Sequence, residues 1–542
     1  MEKKRVTVIG AGASGLVAIK SCLDEGLEPV CFEKSTGIGG LWWYRENRDG
    51  QGCVFKSTVI NTSKEHMAYS DFPAPKDFPN FMHNRYVRKY FHLYADHFGL
   101  EKYIKYQTYI KHVTPADDYD TTGQWRLELK SREDDSEWQE NFDAVLVCSG
   151  HHVEPNIPDF PGLKDFKGKV VHTHDYKTTK GYEDSRTIVV GVGNSGGDAA
   201  VELSHVCSQV FQVTRTGTWV VTRVGPNGTP ADVASIRRFS NLFPKSFLNR
   251  AIQKQANQNF NHARYGLKPK HKPLQAYATV NDALPNRILN GTIKIKCNIK
   301  TILPTSVEFE DGTVEENIDN IILATGYNFG FPMVDSSVIK VEKNQVSLYK
   351  YVFPPNLKHP TIAFIGLIQP WGAINPIAEL QCRWATRVFK GATKLPSRVM
   401  MWEDIIRKKN DMKKRYVARQ RHTIQVDWIP FMDEVANEFG AKPDLWNLFF
   451  KDPALALRCF FGPCYPYQYR LMGPGMWEGA KEAICTAWDR IEAPTMTRKV
   501  PKEEASKNRL ERFQNQAGKV IFRVPVRTPS FIRDRFKLEA RI

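Results

Sequence analysis

The chain has 542 residues, a formal net charge of +17, and apolar (42%) and charged (25%) fractions of ordinary globular size. That length predicts three or four domain-sized units with large buried cores. So basic a balance suits nucleic acid, an anionic membrane or phosphorylated cofactors. No zinc-finger spacing, RNA-recognition sheet motif or dense Lys/Arg block supports the first, so nucleic acid is not expected as a partner.

Ten cysteines occur without a CxxC, and Cys22, Cys31 and Cys148 lie inside apolar elements. This predicts packed thiols in a reducing compartment, with neither a disulfide framework nor a metal centre. No secretory leader is expected, because a strand begins almost at Met1 without an apolar region or cleavage site. Nor does any stretch approach the roughly 18 uninterrupted apolar residues of a spanning helix. The best, residues 362–374, is broken by Gly366, Gln369 and Pro370 and reads as a core strand and a turn.

In chain order, Val6, Val8 and Ile9 form a buried parallel strand, followed by Gly10-Ala11-Gly12-Ala13-Ser14-Gly15. In this spacing Gly10 permits a tight turn, Gly12 admits a pyrophosphate to the backbone, and Gly15 lets the next helix pack on the strand. Residues 16–23 supply that helix, whose N-terminus favours phosphate. A second strand ends on Glu33, about 20 residues past the glycines, where a ribose hydroxyl needs an acceptor. Glycines alone satisfy an ordinary turn; strand, triplet, helix, strand and acid in that order favour a dinucleotide.

Residues 36–42 form another glycine-rich loop, closing on Gly40, Leu41 and Trp42. It is either a turn with Trp42 in the core or a backbone wrapped closely around a bulky cofactor. Asn61 and Thr62 follow an apolar start and fit a capped turn. Residues 84–99 read as a helix stopped by Gly99, residues 125–131 as a strand, and residues 134–136 as a turn. A buried strand at 142–150 leads to a crossing marked by prolines 155, 158 and 161.

Beyond the crossing the first pattern repeats. Residues 187–190 lead into Gly191-x-Gly193-Asn194-Ser195-Gly196-Gly197-Asp198, then a helix over 199–205. The next strand, 209–214, runs into Arg215 where the first unit had Glu33. An acid there favours a bare ribose, and an arginine accommodates a 2′-phosphate. The first site therefore suits FAD or NAD and the second NADP. Arg223 is a second candidate for the phosphate, against the reading of a solvated arginine.

Residues 225–289 break the rhythm and read as a largely helical insertion, and residues 293–314 as hairpin strands turning at Asp311-Gly312. Residues 318–327 then mirror the earlier strand into Cys148-Ser149-Gly150. The expected fold is α/β: two Rossmann-like dinucleotide-binding domains for FAD and NADPH, a mainly helical insertion and a C-terminal extension. The expected division is an FAD-binding domain over 1–154 and 331–445, and an NADPH-binding domain over 155–330 with its insertion near 225–290. A C-terminal region and basic tail cover 446–542.

Over residues 3–498 the chain resembles the flavin-containing monooxygenases of animals. The likeness lies in the Gly10–Gly15 loop, Gly39-Gly-Leu-Trp42, Asn61-Thr-Ser-Lys-Glu65, residues 323–327 (LATGY), residues 365–370 (IGLIQP) and residues 462–469 (GPCYPYQY). It includes residues 166–176 in the pattern F-x-G-x-x-x-H-x-x-x-Y, whose final Tyr176, in place of the Trp of Baeyer–Villiger relatives, favours the amine- and sulfide-oxidising branch.

The resemblance implies that NADPH reduces FAD and that O2 adds at flavin C4a to give a hydroperoxide, which retained NADP+ shields. A soft nitrogen or sulfur of a small molecule then takes the distal oxygen. It also implies that Asn61 stabilises the adduct and NADP+, with Asn194 beside the nicotinamide; His172 and Tyr176 read as packing residues. Alternatives are an NADPH oxidase releasing hydrogen peroxide, Baeyer–Villiger oxygenation of ketones, and a cofactor-binding interaction protein. Many members end in an apolar anchor, but residues 502–542 are mixed and basic with only a short apolar patch at 520–522. The expected location is the cytosolic face of the endoplasmic reticulum, held peripherally by basic residues and exposed aromatics around Phe460 and Phe461, or the cytoplasm. Monomer and homodimer remain open.

Overall fold

The computed structural model describes residues 3–46, 51–417 and 423–498. It falls into two compact units, residues 1–491 and 492–542. Of the second, residues 492–498 are described: a short turn, Ala493–Thr495, in which the Thr495 hydroxyl donates to the Glu492 carbonyl. The tail at 502–542 lies outside the described residues.

Two five-stranded sheets organise the first unit. One holds, in order, Ile362–Phe364, Ala144–Val147, Arg5–Ile9 (β1), Glu28–Phe32 (β2) and Ile104–Lys105, all parallel. The other holds Ile293–Lys296, Gln209–Val213, Arg186–Val190 (β3), Asn320–Leu323 and Lys169–His172, also all parallel. We call Gln209–Val213 β4. Parallel sheets are covered on both faces, which is why their strands are nearly continuous apolar runs. Val6, Val8, Ile188 and Val189 are fully buried.

Helix α1 (Ala13–Asp24) joins β1 to β2 and packs on the helix Asn375–Lys390; α2 (Asn194–Leu203) joins β3 to β4. Both begin inside their glycine loops. The second therefore starts ahead of the 199–205 expected from sequence and stops at Leu203.

Ile293–Lys296 is no hairpin arm: it pairs in parallel with β4 at the sheet edge. Its Ile-Lys-Ile-Lys alternation is that of a strand with one wet face, which hairpin arms and sheet edges share. The Asp311-Gly312 turn lies within a separate meander, Ile299–Ile302, Val307–Phe309 and Val314–Glu315, with Gly312 at φ +80°. The expected helical insertion contains Ala231–Ser235, Lys245–Asn259 and Leu284–Leu289, but also a strand, Thr279–Val280, parallel to Val220–Val221. At the two crossings Glu154–Pro155 pairs antiparallel with Tyr327–Asn328. Phe460 and Phe461 are half-buried against Phe239, with ring centroids 6.1 and 5.2 Å away; the exposed aromatics nearby include Trp446 (78%) and Phe450 (82%).

A buried ionic cluster ties the C-terminal part of this unit to the first sheet. Arg470 reaches Asp71 at 2.6 Å and Glu379 at 2.7 Å, and Lys20 of α1 reaches Asp71 at 2.7 Å. The Ser70 hydroxyl donates to Glu379 at 2.5 Å. Loss of one member leaves an uncompensated buried charge, a cost of about 3–5 kcal/mol. The guanidinium of Arg470 and the Lys20 ammonium together hold the Asp71 carboxyl below its ordinary range against the opposing effect of burial.

Candidate active site

Both glycine loops obey the same steric rule. Gly10 and Gly191 stand at φ +98° and +106°, conformations that side chains rarely adopt. A Cβ at Gly15 would lie 1.8 Å from the Gly10 carbonyl oxygen, and one at Gly196 2.0 Å from that of Gly191. Only glycine lets α1 and α2 leave their strands so closely. Gly12 and Gly193 occupy the N-cap positions, and no side chain caps either helix. A Cβ on Gly193 would meet nothing within 4 Å. Two uncapped helix N-termini with open backbone are built for pyrophosphate, so these residues fit two dinucleotides.

Glu33 directly follows β2 and is buried, and Oε2 accepts the Ala11 N–H at 2.7 Å. Oε1 accepts the Ser35 N–H at 2.8 Å and the Ser35 hydroxyl at 2.7 Å. The carboxylate thus braces the loop while keeping further lone pairs for a ribose. Ser35 is a member of this arrangement that sequence reasoning missed. The second loop closes on the first: a Cβ at Gly40 would lie 3.1 Å from Gly12 Cα, and the Gly39 N–H donates to the Ala11 carbonyl. Leu41 is exposed and Trp42 half-buried against the core, so the loop both packs and wraps.

Asn61 and Thr62 are half-buried on the segment leading to Lys64–Met67. Arg223 Nη2 donates to Asn61 Oδ1 at 2.6 Å, and its other donors reach the Val59 and Ile60 carbonyls and Asp282. Arg223 is therefore no solvated arginine. Its side chain is 13% exposed and committed to the Asn61 segment. Arg215 stands exposed just past β4, without an ion-pair partner among the described residues. Of the two arginines, it is Arg215 that is left open to a 2′-phosphate.

Asn194 opens α2, its Oδ1 accepting the Val280 N–H at 2.9 Å. Ser195 is exposed, and Gly196 and Gly197 are buried, with Thr279 against Gly197. Asp198 Oδ1 accepts from Asn281 Nδ2 at 2.8 Å. Burial pushes the Asp198 carboxyl up to about 6, with Arg223 and the Asn281 hydrogen bond acting the other way. The Ser63 N–H donates to Asp232 at 2.6 Å, and buried His66 stands 3.6 Å from the same carboxylate. Burial lowers the His66 pKa and keeps the ring neutral. Asp232 and Asp282 were invisible to sequence reasoning because they act on Ser63, 169 residues away, and on Arg223, 59 residues away, from an insertion without periodicity.

His172 is buried and neutral, its pKa pushed down by burial; it accepts the His174 N–H and packs edge-on to Tyr327. Tyr176 packs edge-on to Phe55 and its hydroxyl donates to Glu202 at 3.1 Å. Both are packing residues.

The sheets, loops and their spacing define a flavoprotein that takes electrons from a nicotinamide. The model of the flavin-binding monooxygenase-like family matches residues 3–522, and the chain belongs to that family. Flavin-containing monooxygenase 5 of Rattus norvegicus is 52% identical over 512 residues, 93% of this chain and 96% of that protein. Dimethylaniline monooxygenase [N-oxide-forming] 2 of Pan troglodytes is 50% identical over 502 residues, 91% and 94% of the respective chains. Among solved structures, the S-allyl-L-cysteine S-oxygenase of Allium sativum superposes with a TM-score of 0.63 at 24% identity, covering 90% of this chain and 99% of its own. That likeness speaks for the fold. The chain is an NADPH-dependent oxidoreductase with FAD and NADPH as cofactors and O2 and a small molecule as substrates.

Proposed function

We propose that the enzyme oxygenates soft nucleophilic nitrogen or sulfur atoms of small molecules. FAD held by the chain and reduced by NADPH would pass its electrons to O2 and so supply the electrophilic oxygen, as a C4a-hydroperoxide. In this reading FAD lies on the Gly10–Gly15 loop of a domain built from 1–154 and 331–445, and NADPH on the Gly191–Gly196 loop of the 155–330 domain. Arg215 selects the 2′-phosphate, and Asn61 and Asn194 serve the flavin adduct and the nicotinamide side.

The observation that carries the reading is the Asn61 amide. Its oxygen accepts from Arg223, so its NH2 group is the end left to donate. A neutral donor stabilises a developing oxyanion without capturing a proton, and the chain need supply no nucleophile. The relatives named for N-oxide formation and S-oxygenation support the choice of nucleophile.

Stopped-flow absorbance of the NADPH-reduced enzyme mixed with O2 tests it. A persistent intermediate that decays faster on adding an amine or thioether, with oxide as product, is expected. Immediate return to oxidised flavin with stoichiometric peroxide would make the protein an NADPH oxidase. Ketones turned to esters in the same assay, with amines and thioethers inert, would make it a Baeyer–Villiger enzyme.

Among the described residues no helix is long and apolar enough to cross a membrane. We propose peripheral attachment at the cytosolic face of the endoplasmic reticulum, through basic residues and exposed aromatics such as Trp446 and Phe450.

A further inference from the structure

We infer that Asp282 is a positioning residue for Asn61, acting through Arg223, and that it sets which end of the Asn61 amide faces the reacting oxygen. The inference rests on the reading of Asn61 given above.

Asparagine is ambiguous by nature: turned over about its terminal bond, it offers oxygen where it had offered NH2. Here the ambiguity is removed by chemistry. A guanidinium has five donors and no acceptor, so the Asn61 atom 2.6 Å from Arg223 Nη2 is the oxygen. Arg223 Nε and Nη2 also lie 3.4 Å from the carbonyl oxygens of Ile60 and Val59, so the guanidinium holds the Asn61 segment by its backbone as well.

Arg223 is itself fixed at two points by one carboxylate. Asp282 Oδ1 accepts the Arg223 backbone N–H at 2.9 Å and Oδ2 accepts Nη1 at 3.0 Å. Main chain and side-chain tip of the same arginine are pinned together, which restricts the rotamer freedom that a long side chain keeps elsewhere.

The support for Asp282 comes from the second glycine loop. Thr279 donates to the Val192 carbonyl, the Val280 N–H donates to Asn194, and Asn281 donates to Asp198. Four consecutive residues, 279–282, therefore run from the second glycine loop to the residue that holds Asn61. Without Asp282, Arg223 regains its rotamers and the amide turns freely, spending part of its time with an acceptor towards an anionic oxygen.

The experiment measures the lifetime of the oxygenated flavin absorbance in four proteins: parent, Asn61→Ala, Asp282→Asn and the double variant. Asp282→Asn keeps the side-chain shape and removes the charge. Asp282→Ser serves if the Asn variant fails to fold, and flavin content per chain reports folding for each. Lifetime in Asp282→Asn is expected to fall about tenfold, and the double variant to live no shorter than Asn61→Ala alone, as for residues that act as a unit. A crystal structure of Asp282→Asn is expected to show Arg223 withdrawn from Asn61.

If Asn61→Ala shortens the lifetime and Asp282→Asn does not, this inference is wrong and the reading of Asn61 stands. Losses that add in the double variant, or an Arg223 that stays on Asn61, also overturn it. If Asn61→Ala leaves the lifetime unchanged, the underlying reading fails and takes the inference with it.

Discussion

Gly12 and Gly40 face each other across the first nucleotide loop: a Cβ on Gly12 would lie 3.6 Å from Gly40 Cα, an ordinary contact, and Gly12 has φ −80°. The protein itself therefore tolerates alanine at Gly12, and only a ligand approaching the backbone objects. At Gly15 the protein objects, because the Cβ would overlap the Gly10 carbonyl. Gly12→Ala should fold with near-parental thermal stability and purify with much less flavin. Gly15→Ala should lose stability and flavin together. Equal loss of stability in both, by calorimetry, would assign Gly12 a purely structural part.

Arg215 is exposed where the strand after the second loop ends, in the place that Glu33 holds in the first. Arg215→Ala should raise the KM for NADPH by about tenfold or more and leave that for NADH within about twofold, the signature of a lost phosphate contact. Equal changes for the two nucleotides would show that Arg215 does not meet the 2′-phosphate.

Asn61 is expected to act on the oxygenated flavin and not on the resting cofactor. In Asn61→Ala the rate of flavin reduction by NADPH should change little, while peroxide released per NADPH consumed rises severalfold. A parallel fall in reduction and oxygenation would mean that Asn61 merely holds its segment in place.

Asp198 carries a pH signature. Its carboxyl titrates at about 6 in the fold against an ordinary 3.8, chiefly through burial. A raised carboxyl binds its proton more tightly in the folded state. The stability it adds is complete below about pH 4 and is lost as pH rises through about 6. Asp198→Asn cannot ionise and escapes that loss. Its melting temperature should gain on the parent's between pH 4 and 6, with the gap constant above. A variant-minus-parent difference that falls with pH over this range would contradict the burial argument.

The proposed membrane attachment predicts release by mild washes. Each basic residue near an anionic surface contributes on the order of 1 kcal/mol, and salt screens it. Microsomes washed with high salt or alkaline carbonate should lose the enzyme to the supernatant. Retention through both, with extraction by detergent alone, would require an embedded segment.

The parts of this molecule governed by local sterics were legible in the sequence. The loops could be read because Gly15 and Gly196 answer to the carbonyls of Gly10 and Gly191 within the same turn, Gly10 and Gly191 take positive φ, and Gly99 stops its helix in the left-handed conformation as expected. Ile293–Lys296 misled because alternation reports one wet face and not the direction of the partner strand. The hold of Arg223 on Asn61 was illegible for a different reason. It joins residues 162 apart, neither of which has a neighbour in sequence that announces the other. The same is true of Arg470 with Asp71 and Glu379, buried charges that no composition or period reveals.

The two sheets also finish at different moments of synthesis. Every strand of the second sheet lies between residues 169 and 323, whereas the first sheet takes its outer strand from residues 362–364. On the ribosome, the later-encoded sheet has all its strands while the edge of Ala144–Val147 still presents unpaired N–H and C=O groups to solvent. The half of the enzyme that begins first is completed last. Premature termination anywhere between residues 330 and 360 would release a chain whose second sheet has all its strands and whose first sheet has an open edge. Limited proteolysis of such truncated chains would reveal a protected fragment starting near residue 155.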